Sequence, residues 1–361
     1  MFGSPLFQAV GRLLPVLLLA AQADCAADLL SPAQKKEAVE AVARVYETRY
    51  VYPETGKKMA DLIRRKAGSG QYDAVTSGRD LGRQITEDLQ GICADRHVMV
   101  FHDPEGIRRR GNADPARLAA EDLQASRRRN FGFKEVRRLE GNIGYLKITS
   151  FDGSEEAFAA AAAAMQFLAN CDALILDVRT NPGGDSAMVQ FLASYFLPGS
   201  PVLLDEFHFR EKGRVEQLWS LPHVPGKRLA QADLYILIDR LTFSAAEGLA
   251  YDLQALKRAV ICGETSVGGG HAVETATVLD RFLLYIPVAY SRNPVTKSNF
   301  QGKGVQPDLP FNGEAALPRT HLAAIEQWRK KTRDERVLAD LDRVSREIKN
   351  QIAAIEQAKK K

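Results

Sequence analysis

A serine that could act as a nucleophile stands at a predicted junction between a strand and a helix. Residues Leu234 to Ile238 form an apolar run typical of a strand, and a helix rich in alanine and leucine begins at Ser244. A hydroxyl at such a junction lies beside backbone N–H groups that a helix leaves unpaired and that can bind an oxyanion. The run Ser244-Ala245-Ala246-Glu247 also fits a capping box, in which the serine only starts the helix. This motif alone favours the cap, so a catalytic interpretation depends on other parts of the chain.

Two glycine-rich stretches are predicted to lie at the same edge of a sheet as Ser244. Asp177-Val178-Arg179-Thr180-Asn181-Pro182-Gly183-Gly184 begins as the apolar strand 173–178 ends, and Gly263-Glu264-Thr265 with Gly268-Gly269-Gly270 follows strand 259–262. Ligands bind outside the carboxyl ends of strands in open α/β sheets. The paired glycines at 183 and 184 leave backbone N–H groups free to point into a cleft, as an oxyanion hole requires. We therefore expect a cleft with the serine between two glycine loops.

The elements that must position these motifs indicate an α/β protein. We expect a small N-terminal helical domain over residues 31–92 and a connector over 93–130, which contains Asp95-Arg96-His97 and a charged, exposed or frayed stretch. Strands and helices alternate over residues 131–313, which predicts a catalytic core with a largely parallel sheet and flanking helices. Antiparallel pairs are expected at 131–138 with 143–148 and at 273–278 with 282–288.

Two further helices are predicted over residues 314–361. The apolar residues of the last helix recur at helical spacing and form a stripe along one side. Such a stripe suits packing on the body of the chain or on a second subunit. A homo-oligomer held by the C-terminal helices is therefore one of two interpretations.

Composition limits the class of partner. The 361 residues are 45% hydrophobic and 26% charged, which is ordinary for a globular protein with room for two domains. The 49 basic and 45 acidic residues give a net charge of +4, which is too even to indicate nucleic-acid binding. Short basic runs such as Arg108-Arg109-Arg110 are typical of solvated loops.

The N-terminus has the pattern of a secretory signal peptide. Arg12 precedes the apolar run 13–21, and Ala21-Gln22-Ala23 offers a cleavage site of the A-x-A type, so we assign residues 1–23 to the signal. The apolar run is too short for a mature membrane span, although an uncleaved anchor is the alternative. Acylation of Cys25, as in a lipoprotein, is disfavoured because Asp24 precedes the cysteine at a position where a small residue is needed. We therefore expect a periplasmic or secreted protein without stable membrane insertion.

No metal or cofactor is indicated. The six histidines never occur as H-E-x-x-H or H-x-H, and the four cysteines show no C-x-x-C pairing. Cys171 and Cys262 border apolar strands and are expected to be small buried residues rather than parts of a disulfide framework.

Four motifs in order resemble those of a known peptidase family. The set is Asp177-Val178-Arg179-x-Asn181-x-Gly183-Gly184, Thr242-Phe243-Ser244-Ala245-Ala246-Glu247, Gly263-Glu264-Thr265 and Gly302-x-Gly304-Val305-x-Pro307-Asp308. It resembles the C-terminal-processing, or tail-specific, serine peptidases of family S41. Within that family the chain is most similar to the branch of the tricorn core protease and the interphotoreceptor retinoid-binding protein modules. The resemblance extends over nearly the whole mature chain and implies a crotonase-like α/β core.

The resemblance also implies roles for individual residues. Ser244 matches the nucleophile, and the N–H groups of Ala245 and of Gly183 or Gly184 match the oxyanion hole. The processing-protease branch uses a lysine base, but the matching position here is Gly269, which argues against a Ser–Lys dyad. The tricorn-like branch uses a histidine after the helical domain, which matches His97. An imidazole can accept the hydroxyl proton and return it to the leaving group.

Two departures from the tricorn-like pattern put the support of the imidazole in doubt. Arg96 stands where that branch has a serine, and Gln301 stands where it has a glutamate. Gln301 or Asp95 are the candidates for orienting the base, and loss of an orienting group can cost about 10⁴-fold in rate. His271 and Gly269 follow or lie in the glycine loop and are candidates for substrate contact.

Three functions remain open from the sequence. The first is an exported serine peptidase that acts on peptides or proteins through an acyl-enzyme, with Ser244 as nucleophile and His97 as base. The second is a non-catalytic protein that binds an apolar ligand in the same cleft, and the third is an interaction scaffold. No segment resembles the PDZ module of many processing proteases, because the stretch from Glu105 to Arg129 is too short for one. We therefore expect short peptides rather than free protein C-termini as substrates.

Overall fold

The computed structural model describes residues 29–211 and 213–358. The predicted signal peptide and Cys25 lie outside these residues. Within the described ranges, no helix combines the length and the apolar character that a membrane crossing would need.

Three helices form the N-terminal part of the described chain. They are α1 (Pro32–Arg49), α2 (Pro53–Gly68) and α3 (Gly78–Cys93). Helix α1 begins at a capping box in which the N–H of Gln34 donates to the Ser31 hydroxyl at 3.3 Å. Both α1 and α2 carry proline in the first turn, where its fixed φ suits the helix. The apolar faces of the three helices share one core with parts of an antiparallel sheet described below.

A six-stranded sheet forms the centre of the second half of the fold. Its strands are β2 (Phe133–Leu139), β3 (Ile143–Ile148), β4 (Ala173–Asp177), β7 (Asp233–Ile238), β8 (Val260–Gly263) and β11 (Leu309–Pro310), in the order β11-β8-β7-β4-β3-β2. All neighbours pair in parallel except β2 and β3, which form the predicted antiparallel hairpin. The carboxyl ends of β4, β7 and β8 therefore lie side by side.

Alternate residues of these strands enter two different cores, so the sheet is covered on both faces. Leu174, Leu176 and Ile236 face the core formed with α6 (Glu155–Phe167), α7 (Ser186–Tyr195) and α8 (Ala245–Ala255). Ala173 and Ile175 face the core formed with α9 (Ala316–Lys331) and α10 (Glu335–Ala358). This alternation is the period of two expected of a strand buried on both sides. The predicted α/β core with flanking helices is confirmed.

The apolar stripe of α10 packs on the chain itself. Leu341, Val344, Ile348 and Ile352 are buried in the core beneath the six-stranded sheet. Of the two interpretations of this stripe, packing on the body is therefore the one observed.

A second, antiparallel sheet links the N-terminal helices to the core. It contains β1 (Met99–His102), β5 (Leu203–Phe209), β6 (Val215–Trp219), β9 (His271–Val278) and β10 (Phe282–Ser291). Strand β10 pairs with β1, β5 and β9. The pair β9–β10 confirms the predicted hairpin and makes it longer than expected. Because β1 docks on β10, the residues just before β1 reach the edge where β4, β7 and β8 end.

The charged stretch between β1 and β2, expected to be an exposed connector or a frayed helix, contains two largely exposed helices. These are α4 (Pro104–Asn112) and α5 (Pro115–Arg128), and Ser126 is their only buried residue. Asp103 and Asp114 cap them, each followed by proline at the first helical position. An aspartate followed by proline is a helix-start signal, and the charge-rich composition of this stretch obscured it.

Candidate active site

Ser244 lies on a strained turn between β7 and α8. Its backbone has φ 55° and ψ −124°, a conformation that residues other than glycine rarely adopt. Such a conformation costs on the order of 1–3 kcal/mol and is held in place only by surrounding contacts. The Ser244 N–H donates to Oε2 of Glu247 at 2.8 Å. The turn therefore presents the hydroxyl at the carboxyl edge of the sheet, as in other strand-to-helix nucleophile turns.

His97 reaches this hydroxyl from a distant part of the chain. Its Nε2 lies 3.1 Å from Oγ of Ser244, although the two residues are 147 positions apart. The imidazole is buried and packs against the ring of Phe243, with a centroid distance of 4.3 Å. The pairing predicted from the sequence is thus brought together at hydrogen-bond distance. A histidine in contact with a serine hydroxyl is the arrangement required for general-base activation.

Asp95 lies behind the imidazole and is completely buried. Its Oδ1 accepts the backbone N–H of His97 at 3.0 Å and is 3.6 Å from Nδ1 of the same residue. Its Oδ2 is 2.6 Å from Nδ1 of His271. Burial by itself would raise the pKa of Asp95, but the two histidines beside it lower that pKa well below its ordinary value. A negative charge is therefore maintained next to the candidate base.

His271 belongs to the same cluster but does not contact the serine. It is buried at the start of β9 and lines the cavity at the site, and its Nε2 has no hydrogen-bond partner among the described residues. Its contact with Asp95 fixes the carboxylate on the side away from His97. The sequence suggested substrate contact for His271; its contact within the chain is with Asp95, and substrate contact stays a prediction.

The candidate oxyanion donors are the backbone N–H groups of Ala245 and Gly184. Among the described residues neither group has a hydrogen-bond acceptor, and both residues line the cavity at Ser244. Gly183 was an equal candidate from the sequence, but its N–H donates to Oδ1 of Asn181 at 2.8 Å. A Cβ at Gly183 would lie 2.8 Å from Cβ of Ser244, so only glycine lets this loop approach the serine.

Glu247 connects the serine to the second glycine loop. It is fully buried, and its two carboxylate oxygens accept from the N–H groups of Ser244, Gly268 and Gly269 and from the hydroxyl of Ser266. Burial raises the pKa of Glu247, and these four donors oppose that rise. The capping-box pattern predicts only the bond to Ser244. The other three bonds make Glu247 the residue that fixes the loop next to Ser244.

The space of a lysine base is occupied by the imidazole. A Cβ placed at Gly269 would lie 2.7 Å from Cε1 of His97 and 2.2 Å from Cε2 of Phe243. No side chain larger than hydrogen fits at this position while His97 stays in place. The structure thus gives a steric reason for glycine where one branch of the resembled family carries lysine.

Gln301 does not reach the imidazole. Its Oε1 accepts from the N–H of Gly270 at 2.7 Å, and its Nε2 is buried without a partner among the described residues. Arg96 is exposed. Of the two candidates for orienting His97, Asp95 is therefore the one placed beside it, and Gln301 supports the glycine loop.

A cavity of about 330 Å³ opens at Ser244 and extends beyond it. Apolar side chains form most of its walls, but two buried acids, Asp205 and Asp252, also line it. Neither acid was predicted from the sequence as a site residue. Asp252 could have been found, because it lies eight residues after the serine and hence on the same side of α8.

Comparisons with known proteins agree with this geometry. The profile described as peptidase family S41 matches residues 142–311. The profile described as the N-terminal domain of Peptidase_S41 in eukaryotic IRBP matches residues 29–126. The two matches lie on separate parts of the chain and together cover most of it.

A carboxyl-terminal-processing peptidase 2 from the chloroplast of Arabidopsis thaliana is 28% identical over 172 residues, which is 47% of this chain and 32% of that protein. The chain thus spans about a third of the length of this relative.

Solved structures show the same fold at low sequence identity. A lipoprotein from Streptococcus agalactiae superposes with a TM-score of 0.55 at 15% identity, covering 82% of this chain and 98% of that one. The tricorn protease superposes with a TM-score of 0.51 at 12% identity, covering 88% of this chain and 37% of that one. With both sequence profiles and the fold in agreement, the chain carries a peptidase family S41 domain over residues 142–311, preceded by the N-terminal domain found in that family over residues 29–126.

Proposed function

We propose that this chain is an exported serine peptidase that cleaves peptide bonds through an acyl-enzyme on Ser244. The observation that carries the proposal is the 3.1 Å contact between Oγ of Ser244 and Nε2 of His97 on a strained strand-to-helix turn. Relatives named as carboxyl-terminal-processing peptidases support a peptide or protein substrate. The signal-peptide pattern of residues 1–23 supports export.

The reaction follows from the arrangement of the groups. Ser244 Oγ attacks the carbonyl carbon of the scissile bond while Nε2 of His97 accepts the hydroxyl proton. The carbonyl oxygen becomes an oxyanion and accepts from the N–H groups of Ala245 and Gly184. The tetrahedral intermediate then collapses, and His97 returns the proton to the leaving amine. A water molecule attacks the ester in the same way and releases the acid.

Asp95 stabilises the imidazolium that His97 becomes during the reaction, because its carboxylate lies beside the ring. The carboxylate is 3.6 Å from Nδ1 of His97 and keeps its charge because its pKa is lowered. When Nε2 takes the serine proton, the positive charge spreads over the ring, and the Nδ1 side of the ring faces the carboxylate, which stabilises that charge. Asp95 is therefore assigned the supporting role that the glutamate before Gly302 has in the tricorn-like branch.

Binding of an apolar ligand without catalysis is the second candidate. The apolar walls of the cavity favour it. However, binding of an apolar ligand requires neither an imidazole at hydrogen-bond distance from a serine nor a strained backbone with positive φ at that serine. The peptidase accounts for both features, so it is preferred.

The test is hydrolysis of a proteome-derived peptide library by the mature chain, with new termini identified by mass spectrometry. We expect cleavage by the wild type, and at least about 10³-fold less by Ser244→Ala and His97→Ala. Ser200→Ala and His223→Ala are matched controls, because both residues are exposed and lie outside the site. Unchanged hydrolysis in Ser244→Ala, or no hydrolysis by folded wild type, would refute the proposal.

A further inference from the structure

The cavity continues from Ser244 along one side of helix α8. Ser244, Gly248 and Asp252 are spaced four residues apart and all line it. A Cβ at Gly248 would meet no atom within 4 Å, so the middle turn of the helix leaves open space. The rise from Ser244 to Asp252 is about 12 Å, and side chains on a helix lean toward its N-terminus. The side chain of Asp252 therefore leans along α8 toward the end of the helix that carries Ser244.

The far end of this cavity holds two buried acids with no cation. Asp252 and Asp205 are 2% and 4% exposed, and no lysine or arginine side chain is among the groups that shift the pKa of either acid within the described ranges. Asn293 Nδ2 donates to Oδ1 of Asp252 at 2.9 Å, and the N–H of Glu206 donates to Oδ1 of Asp205 at 2.8 Å. Burial raises the pKa of Asp205 to about 7. Burial, with Asp205 nearby, also raises the pKa of Asp252.

A third polar group at this end of the cavity has no partner. Ser291 is 3% exposed and lines the cavity, and its hydroxyl has no hydrogen-bond partner among the described residues. The hydroxyl lies near enough to Asp205 to lower the pKa of that acid, although the two groups do not have the geometry of a hydrogen bond. Buried polar groups are nearly always paired in folded proteins. Two acids short of a cation and one free hydroxyl are together suited to an incoming group with several N–H donors.

Most of the walls of the cavity that holds Ser244 and the two acids are apolar. They include Val189, Phe207, Leu218 and Phe300. An apolar passage that ends in carboxylates matches a side chain with an aliphatic stem and a cationic head, because such side chains bury the stem and keep the head charged only where it is paired. Lysine and arginine are the two amino acids of this kind.

We propose that this cavity binds the side chain on the acyl side of the scissile bond and selects lysine or arginine there, with Asp252 and Asp205 as the residues that determine specificity. The assignment rests on the proposed role of Ser244 as nucleophile. A peptide attached through its carbonyl carbon to Ser244 directs that side chain along α8 toward the two acids. The products of cleavage would then carry a C-terminal basic residue.

The experiment compares fluorogenic peptide amides that differ only in the residue before the scissile bond: lysine, arginine, norleucine, alanine or glutamate. Norleucine keeps the stem of lysine and lacks the ammonium group. In the wild type we expect kcat/KM for lysine to exceed that for norleucine by about 100-fold or more, since a buried polar site rejects an analogue that leaves it unpaired. Asp252→Asn should lower this ratio by at least about tenfold. We expect kcat/KM to fall for the lysine peptide and to stay unchanged for the norleucine peptide.

Three further variants complete the test. Asp205→Asn should lower the same ratio. Gly248→Leu should reduce hydrolysis of both the lysine and norleucine peptides, because its side chain fills the open turn. Glu216→Gln is the matched control, because this acid on the neighbouring strand is paired with Arg214 at 2.7 Å and does not line the cavity. Its ratio should equal that of the wild type.

Labelling of Ser244 by a small fluorophosphonate, which carries no side chain for the cavity, separates the two proposals. If the wild type labels but prefers norleucine or alanine, or if Asp252→Asn labels normally and keeps the wild-type ratio, the specificity assignment is overturned and the nucleophile stands. If the folded wild type does not label, the proposed function fails, and the specificity assignment fails with it.

Discussion

Replacing Asp95 by asparagine should remove most of the reactivity of Ser244 without unfolding the chain. The substitution keeps the size of the side chain and an oxygen that can accept from the N–H of His97, but it removes the charge. At 3.6 Å from Nδ1 of His97 and an effective dielectric constant of about 20, the carboxylate stabilises an imidazolium by about 4 to 5 kcal/mol. Each 1.36 kcal/mol is about a tenfold change in rate. We therefore expect a loss of about 10³-fold.

The assay is the second-order rate of fluorophosphonate labelling at pH 8, measured beside thermal unfolding. His271→Asn is the control that separates the charge from the packing. It removes the other bond of Asp95 at 2.6 Å and leaves the carboxylate beside His97. We expect its labelling rate to stay within about tenfold of the wild type, since its role is to hold the acid.

Two results would refute this reasoning. Asp95→Asn that folds normally and keeps more than a tenth of the wild-type rate would show that the base needs no carboxylate. A loss in His271→Asn as large as in Asp95→Asn, with normal unfolding temperature, would place the second histidine in the chemistry rather than behind the acid.

Three other variants are predicted from the same contacts. Gly269→Ala should abolish labelling in a folded protein, because its Cβ would lie 2.7 Å from Cε1 of His97; a labelling rate like that of the wild type would contradict the packing. Glu247→Gln should lower the free energy of unfolding by about 2 to 4 kcal/mol and slow labelling. Its amide nitrogen cannot accept from the donors that now meet the carboxylate, and each buried group left unpaired costs about 1–3 kcal/mol. Chemical denaturation that gives the same free energy for variant and wild type would be inconsistent with this role.

The third of these variants, Asp205→Asn, tests a pH dependence. The folded-state pKa of about 7 lies above the ordinary aspartate value of about 3.9, so the folded chain binds more protons than the unfolded chain between these pH values. This acid therefore makes the free energy of unfolding fall as pH rises from about 4 to 7, by at most about 1.4 kcal/mol per pH unit. The variant should gain stability relative to wild type across that range, as measured by denaturation at several pH values. The two acids beside Asp205, which are Asp252 and Glu206, are not substituted in this variant. A constant difference between the two proteins would count against the raised pKa.

Much of the fold could be predicted because its signals are local. The apolar strands before Asp177 and Ser244, the helices between them and the hairpin at Gly141 are all visible as periodicity and turn residues within short windows. The antiparallel sheet was only partly predicted. Its strand β1 pairs with β10 across 180 or more positions, and no local pattern encodes that pairing.

The candidate site divides in the same way. Ser244 and the glycine loops could be predicted from local motifs, and His97 only through the resemblance to a family. The hydrogen bond that occupies the N–H of Gly183, the contact of Asp95 with His271 and the burial of Asp252 are tertiary features. Sequence reasoning could not choose between Asp95 and Gln301 as the orienting group, because the choice depends on which side chain lies behind the ring.

The most direct test of the central assignment is to map the site of fluorophosphonate modification by intact-protein and peptide mass spectrometry. We predict one phosphonyl group per chain, attached to Ser244, and a labelling rate at least about 10³-fold lower in His97→Ala at unchanged unfolding temperature. An adduct on a different residue, or labelling of His97→Ala at the wild-type rate, would contradict the assignment of Ser244 and His97 as nucleophile and base.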